Sequence, residues 1–373
     1  MSHQPITNRR IKVLIVDDSA SVRTLLAKLL SSDPMIEIVG QAEDAYVARE
    51  MLVKYTPDVM TLDIEMPRLD GLNFLEKVMQ HFPTRTLIIS SLSPKGSQTA
   101  LKAVAMGAVD VIPKSLIDVS RGVSLVAEEL SAMVRAAAAA NISHLSSFAK
   151  NNANAPSSPT ANVGSGLRQS TQNLPGRAQN ILAIAASTGG PDALRQLLSQ
   201  LPAQIPPTLI VQHMPAFFTK SLADSLNSVC AFQVREALDG DTLEQGVALI
   251  APGNFHMVLA KVGGRLQVRL NQNPAVHGVR PAADPLFVSI AQYLGRSAIG
   301  VVLTGMGRDG ADGLLKMREA GSYNIAQDED SCVVFGMPRE AIDIGAVQII
   351  SPLAKIPALI MAELARRAVA KVG

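Results

Sequence analysis

Residues 11–30 read IKVLIVDDSASVRTLLAKLL and predict the first structural unit of the chain. Residues 11–16 form an apolar run interrupted only by Lys12, as expected for a strand that is buried on both faces of a parallel sheet. The apolar residues that follow recur at helical spacing and are Val22, Leu25, Leu26, Leu29 and Leu30. A buried strand followed directly by an amphipathic helix predicts a βα unit.

The same alternation continues through the first part of the chain. Further strands are predicted at residues 37–39, 59–62, 87–89 and 109–112. Helices are predicted at residues 45–54, 71–81, 99–106 and 123–140. Five successive βα units predict a doubly wound, five-stranded parallel sheet.

The periodicity stops between residues 142 and 179. This stretch contains NNANAPSSPTANVGSG at residues 151–166, which is rich in Asn, Ser, Pro, Ala and Gly and cannot bury an apolar face. We therefore expect a flexible linker over residues 142–179. It would separate a first domain at residues 10–141 from a second at residues 180–373.

The second domain is also predicted to be doubly wound α/β. Its strands are predicted at residues 181–186, 208–212, 232–236, 247–251, 299–303 and 323–326. Helices are predicted after Ser187 and at residues 218–227, 285–294 and 310–320. Residues 257–270 predict one antiparallel hairpin that turns at Gly263 and Gly264.

Composition restricts the class of protein. The 373 residues exceed one typical domain, and the 47% that are apolar suffice for two cores. The net charge of +2 creates no field that would recruit nucleic acid or an anionic membrane. Cys230 and Cys332 form no metal-ligand motif, which favours a reducing compartment. With no signal-peptide pattern and no apolar run of bilayer length, we expect a soluble, cytoplasmic protein without membrane insertion.

Acidic residues follow two strands of the first predicted sheet. Asp17 and Asp18 follow the first strand and Asp63 follows the third, so their side chains are expected at the same sheet edge. Three carboxylates there would repel one another unless a hard cation such as Mg²⁺ neutralised them. One carboxylate could then attack a phosphoryl donor. Ser90 and Lys114, at the ends of the fourth and fifth strands, could bind phosphate oxygens.

This acidic pattern resembles the receiver domain of two-component response regulators, which has a flavodoxin-like fold. The resemblance rests on DD at residues 17–18, on DIEMPRLDG at residues 63–71, and on the serine and lysine after strands four and five. It implies that Asp63 accepts the phosphoryl group and that Ser90 and Lys114 contact the phosphate. The implied Mg²⁺ ligands are Asp17, Asp18, Asp63 and the backbone carbonyl of Glu65.

Two positions depart from the receiver pattern. Val111 stands where an aromatic switch residue is usual, and Ser115 follows Lys114 where proline is usual. We therefore expect weak coupling between an aromatic side chain and Ser90, and no cis bond after the lysine.

A serine ends the first strand of the second domain. In ILAIAASTGGPDAL, at residues 181–194, Ser187 is followed by a glycine-rich turn, and Pro191 suits the first turn of a helix. Backbone N–H groups and the positive end of a helix dipole at such a turn favour an oxyanion. The stretch does not match G-x-S-x-G, and Ser187 alone is better explained as a helix cap.

Two further residues support a hydrolytic role for the serine. His213 follows the strand at residues 208–212, and Asp309 follows the strand at residues 299–303 in a glycine-rich turn. We expect His213 to take the proton of Ser187 and Asp309 to select the tautomer of that histidine. The chain order differs from familiar triads, but geometry rather than order defines a triad.

The second domain resembles the chemotaxis protein-glutamate methylesterases, the CheB family. The matching segments are IAASTGGP at 184–191, VQHMP at 211–215, APGNFHM at 251–257, RPAADPLF at 280–287 and LTGMGRDGADG at 303–313. The resemblance implies a triad of Ser187, His213 and Asp309. Support for the oxyanion would come from the backbone N–H of Met306 and from Thr188. Arg280, Asp284 and His256 are further candidates for contact with the substrate.

The resemblance also implies substrates, partners and regulation. The substrates are γ-glutamyl methyl esters on the cytoplasmic helices of chemoreceptors (methyl-accepting chemotaxis proteins), which release methanol without a cofactor for hydrolysis. The receiver covers the active site until a chemotaxis histidine kinase phosphorylates Asp63. Family members also deamidate receptor glutamines, as protein-glutamine glutaminases.

Three alternatives remain to be weighed against ester hydrolysis. Glutamine deamidation could be the main reaction, although an amide is a poorer substrate than an ester. A non-catalytic response regulator that acts by binding would not need Ser187, His213 and Asp309, and all three are present. DNA binding is disfavoured, because no helix-turn-helix is evident and the charge is near neutral.

Overall fold

The computed structural model describes residues 9–66, 71–117, 122–141 and 180–369. These residues form two parallel sheets, each covered by helices, and one antiparallel hairpin, which confirms the predicted fold class. The predicted linker at residues 142–179 lies outside the described residues, as do residues 370–373. The domain boundaries therefore stay a prediction.

The first domain is built from five βα units. The strands are β1 (Ile11–Val16), β2 (Ile36–Ala42), β3 (Val59–Asp63), β4 (Arg85–Ser90) and β5 (Asp110–Pro113). The helices are α1 (Ala20–Leu30), α2 (Ala45–Tyr55), α3 (Gly71–His81), α4 (Pro94–Ala105) and α5 (Val123–Ala139). The parallel strand order is β2-β1-β3-β4-β5, so the strand predicted from the opening motif lies inside the sheet. Val13, Leu14 and Ile15 are fully buried there.

Helix α4 begins one turn earlier than its predicted range of residues 99–106. The hydroxyl of Ser93 accepts a hydrogen bond from the N–H of Gly96 at 2.9 Å, and Pro94 occupies the first turn. This turn reads PKGS and has no apolar periodicity, so the capping serine is its only local signal.

The second domain contains a seven-stranded sheet and a hairpin. Its strands are β6 (Ile181–Ala186), β7 (Thr208–Gln212), β8 (Gln233–Glu236), β9 (Val247–Ile250), β10 (His256–Val262), β11 (Arg265–Asn271), β12 (Ala298–Val302), β13 (Tyr323–Gln327) and β14 (Ile349–Ser351). Its helices are α6 (Gly190–Leu198), α7 (Phe218–Asn227), α8 (Ala283–Leu294), α9 (Ala311–Glu319), α10 (Met337–Asp343) and α11 (Ile356–Val369). The sheet order is β14-β13-β12-β6-β7-β9-β8, all parallel, and β10 pairs with β11 as predicted.

Three C-terminal elements, β14, α10 and α11, were not predicted from the sequence. Strand β14 has three residues at a sheet edge, and Ile350 in its centre is half exposed. Helix α10 has seven residues, which is too short for an apolar face to recur. Helix α11 buries Glu363 and Arg367 as an ion pair at 2.7 Å, so polar residues interrupt its buried face.

The two domains pack against each other. Helix α4 of the first domain contacts α6 and α7 of the second. After α5, the N–H of Asn141 donates to the carbonyl of Val333 at 3.0 Å. In the described ranges, no helix combines the length and the apolar character needed to cross a bilayer.

Candidate active site

Ser187 lies in a tight turn between β6 and α6. Its N–H donates to the carbonyl of Thr304 at 3.0 Å, and its own carbonyl accepts from the N–H of Gly190 at 2.7 Å and from Nε2 of Gln212 at 2.9 Å. A Cβ on Gly190 would lie 2.1 Å from Oε1 of Gln212, so this position requires glycine. The turn is thus held by its backbone, and these contacts do not use the serine hydroxyl.

The parallel register of β6 and β7 brings His213 beside Ser187. Ala186 pairs with Gln212, and the N–H of His213 donates to the carbonyl of Ala186 at 3.0 Å. The side chain of His213 is mostly buried, and its Nε2 lies 2.7 Å from Oδ2 of Asp309. The structure therefore brings the predicted base next to the predicted nucleophile and joins it to the predicted acid.

Asp309 is an ionised, buried acceptor. Burial alone would raise the pKa of its carboxyl, but the hydrogen bond and charge of His213 and two backbone N–H groups hold that pKa below its ordinary value. The N–H groups belong to Ala283, 2.5 Å from Oδ2, and Asp284, 3.1 Å from Oδ1, in the first turn of α8. Since an ionised carboxylate only accepts, Nε2 of His213 donates the hydrogen bond to Oδ2 of Asp309.

The loop after β12 passes directly over the nucleophile turn. A Cβ on Gly305 would lie 2.7 Å from Cβ of Ser187, so glycine permits this close approach. Met306, the predicted oxyanion donor, is the next residue. Thr188, the other predicted support, is mostly buried. Met306 thus follows the residue that approaches Ser187, and Thr188 follows Ser187 in the chain. Their contact with an oxyanion stays a prediction.

A carboxylate from the first domain reaches this site, and the sequence reasoning missed it. Asp110 begins β5, and its Oδ2 accepts a hydrogen bond from the hydroxyl of Thr188 at 2.5 Å. Burial raises the pKa of the Asp110 carboxyl, against the opposing effects of Thr188, the Val111 N–H and the charge of His213. An aspartate at a strand start gives no sequence signal for such a contact.

A cavity of about 720 Å³ is lined by residues of both domains. The part of its wall that α5 supplies consists of Ala132, Arg135, Ala136 and Ala139. The second domain contributes Met306, Val333 and Phe335, among others. The predicted oxyanion loop thus faces the first domain across this space.

The predicted phosphorylation residues converge at the edge of the first sheet. Carboxylate oxygens of Asp17, Asp18 and Asp63 lie within 4.8 Å of one another. Nζ of Lys114 donates to Oδ2 of Asp63 at 2.8 Å, and the N–H of Glu65 donates to Oδ1 of Asp63 at 3.0 Å. Burial, aided by the charge of Asp63, raises the pKa of Asp17 to about 6.

The residues at this edge fit a hard divalent cation. Oδ2 of Asp17 is buried and has no hydrogen-bond partner among the described residues, next to two further carboxylates. Ser90 ends β4 and is buried at the same edge, opposite Pro113 in the strand register. In the described residues the one cis peptide bond precedes Pro281, so the bond after Lys114 is trans.

Two of the further candidates for substrate contact have structural partners. His256 is buried, and its Nδ1 accepts from the N–H of Ala282 at 3.2 Å while its Nε2 donates to the carbonyl of Pro274 at 3.1 Å. The guanidinium of Arg280 donates to Oδ1 of Asn254 at 2.6 Å. Both side chains hold the segment that leads into α8.

Two family models match separate parts of the chain. The family model for the response regulator receiver domain matches residues 13–126, and the model for the CheB methylesterase matches residues 182–360. A protein-glutamate methylesterase/protein-glutamine glutaminase from Bdellovibrio bacteriovorus is 49% identical over 360 residues, which cover 96% of this chain and 99% of the relative. A protein of the same name from Chromohalobacter salexigens is 48% identical over 356 residues, with coverage of 95% and 97%.

Proposed function

The chain belongs to the CheB family of protein-glutamate methylesterases/protein-glutamine glutaminases, and we propose that Ser187, His213 and Asp309 perform its hydrolysis under the control of Asp63. The protein is a receiver-controlled hydrolase that acts on chemoreceptors. The observation that carries the residue assignment is the 2.7 Å contact between His213 and ionised Asp309. His213 directly follows β7, which pairs with β6, the strand that ends just before Ser187.

In the proposed reaction, Nδ1 of His213 takes the proton of Ser187 while Oγ attacks the γ-carbonyl of a methylated glutamate. The imidazolium then protonates the departing oxygen, the C–O bond breaks, and methanol leaves. Water, deprotonated by the same nitrogen, attacks the acyl-serine and releases the γ-carboxylate. The N–H of Met306 and the turn at Thr188 would support the oxyanion.

Deamidation uses the same acyl chemistry, with ammonia as the leaving group. The names of the relatives include both activities. We propose demethylation as the main reaction, because methoxide leaves more easily than an amide nitrogen. Since the substrate glutamates lie on cytoplasmic receptor helices, we place the protein in the cytoplasm.

The proposed regulation connects Asp63 to the triad through one short strand. Strand β5 has four residues, begins at Asp110 and ends next to Lys114, which is paired with Asp63. A phosphoryl group on Asp63 would add close to two negative charges and change the position of Lys114. We propose that this movement passes along β5 and releases Asp110 from Thr188, so that the domains separate. A chemotaxis histidine kinase would be the phosphodonor.

We also propose that Mg²⁺ binds at the acidic edge of the first sheet. It would be held by Asp17, Asp18, Asp63 and the carbonyl of Glu65. When bound, it would offset the negative charge of the phosphoryl donor. The buried, unpartnered oxygen of Asp17 supports this assignment.

The function is tested by methanol release from methylated chemoreceptor membranes, measured with and without acetyl phosphate and Mg²⁺. We expect release that increases when the phosphodonor is present. Ammonia release from receptors with glutamine at the same sites is measured in parallel. If receptors lose ammonia but no methanol, deamidation is the main activity, and if they lose neither, the hydrolase assignment is wrong.

Replacing Asp63 with asparagine is expected to remove the response to the phosphodonor. The amide cannot form an acyl phosphate, so methanol release should be the same with and without acetyl phosphate. Asp44→Asn, at the N-cap of α2, is the matched control and should still respond. An Asp63→Asn protein that is still activated would place the phosphoacceptor elsewhere.

Replacing Asp110 with alanine is expected to raise methanol release in the absence of a phosphodonor. The variant loses the hydrogen bond from Thr188. Because such a hydrogen bond contributes about 0.5–1.5 kcal/mol, we expect a rise of about three- to tenfold. Glu76→Ala, an exposed substitution on α3, serves as the control. An unchanged basal rate would show that this contact does not hold the domains together.

A further inference from the structure

A second histidine–aspartate pair lies directly behind the triad. Nε2 of His277 is 2.8 Å from Oδ2 of Asp284. A ring nitrogen of His277 and one carboxylate oxygen each of Asp284 and Asp309 lie within 4.8 Å of one another. The proposed hydrolysis does not use this pair, although its carboxylate is adjacent to the acid of the triad.

Asp284 has contacts on both sides. Its backbone N–H donates to Oδ1 of Asp309 at 3.1 Å, so it helps to orient the triad carboxylate. Its side-chain Oδ1 accepts from the N–H of Gly313 at 2.6 Å, in the first turn of α9, the helix that follows Asp309. A Cβ on Gly313 would lie 3.0 Å from the same oxygen, which leaves little room for displacement. Asp284 therefore ties the start of α8 to the loop that carries Asp309.

The charges of this pair also act on the triad. Burial and the charge of Asp309 raise the pKa of the Asp284 carboxyl, while Gly313 and His277 oppose the rise. The side chain of His277 is partly exposed. It lies in a turn closed by two hydrogen bonds between Val276 and Val279, and its φ of 52° is a left-handed conformation that a side chain seldom adopts. The turn thus presents the imidazole of His277 to a buried carboxyl group.

We propose that His277 and Asp284 are positioning residues, which hold Asp309 in place and balance the negative charge beside it. This inference rests on the proposed triad. Because the pair lies next to Asp309, its charges contribute to the electrostatic potential around the triad. The carboxyl group of Asp110, from β5 of the receiver, also interacts electrostatically with His213. Assays on phosphorylated full-length protein therefore separate the two effects.

Two variants are expected to move the pH profile in opposite directions. Asp284→Asn removes a carboxyl group beside the triad, so the acid limb of the rate–pH profile should move to lower pH by roughly one pH unit. His277→Gln keeps a hydrogen-bond donor but removes the compensating charge, so the acid limb should rise. Both should lower kcat by about tenfold to one hundredfold, while KM for the receptor stays within about twofold.

The measurement is methanol release against pH with saturating acetyl phosphate, divided by the phosphorylated fraction of each variant. Asp312→Asn, an exposed substitution one residue before Gly313, is the charge-matched control and should keep the wild-type profile. If Ser187→Ala retains activity, the triad itself is wrong and this inference falls with it. If Ser187→Ala is inactive but both pair variants keep the wild-type acid limb, or change only KM, the triad stands and this inference alone is overturned.

Discussion

Replacing Ser187 with alanine is expected to lower methanol release by the phosphorylated full-length protein by about 10⁴-fold or more. Without Oγ, no acyl intermediate can form, and only substrate binding and the oxyanion donors remain. The protein should stay folded, because the hydrogen bonds described for the turn use the N–H and carbonyl of Ser187. The loss should therefore appear in kcat and leave receptor binding intact.

Ser199→Ala is the matched control for this experiment. Ser199 is exposed at the end of α6, the helix that begins just after Ser187, so the same chemical change is made on the same element away from the turn. Receptor binding and unfolding by denaturant are measured for both variants. If Ser187→Ala releases methanol at the wild-type rate, another residue is the nucleophile and the triad assignment is wrong.

Replacing Asp309 with asparagine is expected to lower kcat by about 10⁴-fold, because the amide cannot satisfy its partners as the carboxylate does. Oδ2 accepts from both His213 and the N–H of Ala283, and Oδ1 accepts from the N–H of Asp284. If the amide NH₂ takes the place of Oδ2, Nε2 of His213 must become an acceptor. Its proton then moves to Nδ1, the nitrogen that has to receive the proton of Ser187.

The opposite orientation of the amide in Asp309→Asn also leaves a hydrogen bond unmade. If NH₂ takes the place of Oδ1, it faces the N–H of Asp284, and two donors meet in a buried site. A buried donor without an acceptor lowers the free energy of unfolding by about 1–3 kcal/mol, so Asp309→Asn should also be less stable to denaturant than the wild type. Asp312→Asn, three residues further on and exposed, should change neither property. A loss of only a few-fold in kcat, with the protein folded, would show that Asp309 does not orient the catalytic histidine.

Local sequence patterns predicted much of the fold because the buried strands are apolar throughout. Strands β1, β6 and β7 have the predicted bounds, and so does α7. The patterns failed where a buried surface is not apolar or is too short to repeat. Helix α11 buries the ion pair of Glu363 and Arg367, and β14 has three residues.

For the candidate site, the sequence predicted which residues lie at strand ends but not the direction of every side chain. Ser187, His213 and Asp309 were found because each follows a buried parallel strand, and such strands end at one edge of a sheet. His256 and Arg280 also lie in segments that match the family, but their side chains bond to parts of the protein itself. The partners are the carbonyl of Pro274, the side-chain amide of Asn254 and the N–H of Ala282. Sequence proximity to a motif does not tell which way a side chain turns.

The sequence alone determined the two α/β domains, the acidic edge of the first and the three triad candidates of the second, because strand periodicity and strand ends are local properties. Only the tertiary structure revealed that Asp110 of the first domain bonds Thr188 of the second, and that His277 and Asp284 lie behind Asp309. These contacts join residues on separate elements, or in separate domains, whose approach depends on how helices and sheets pack. No pattern within either segment encodes that approach, so the groups that surround His213 and Asp309 become visible only in the folded chain.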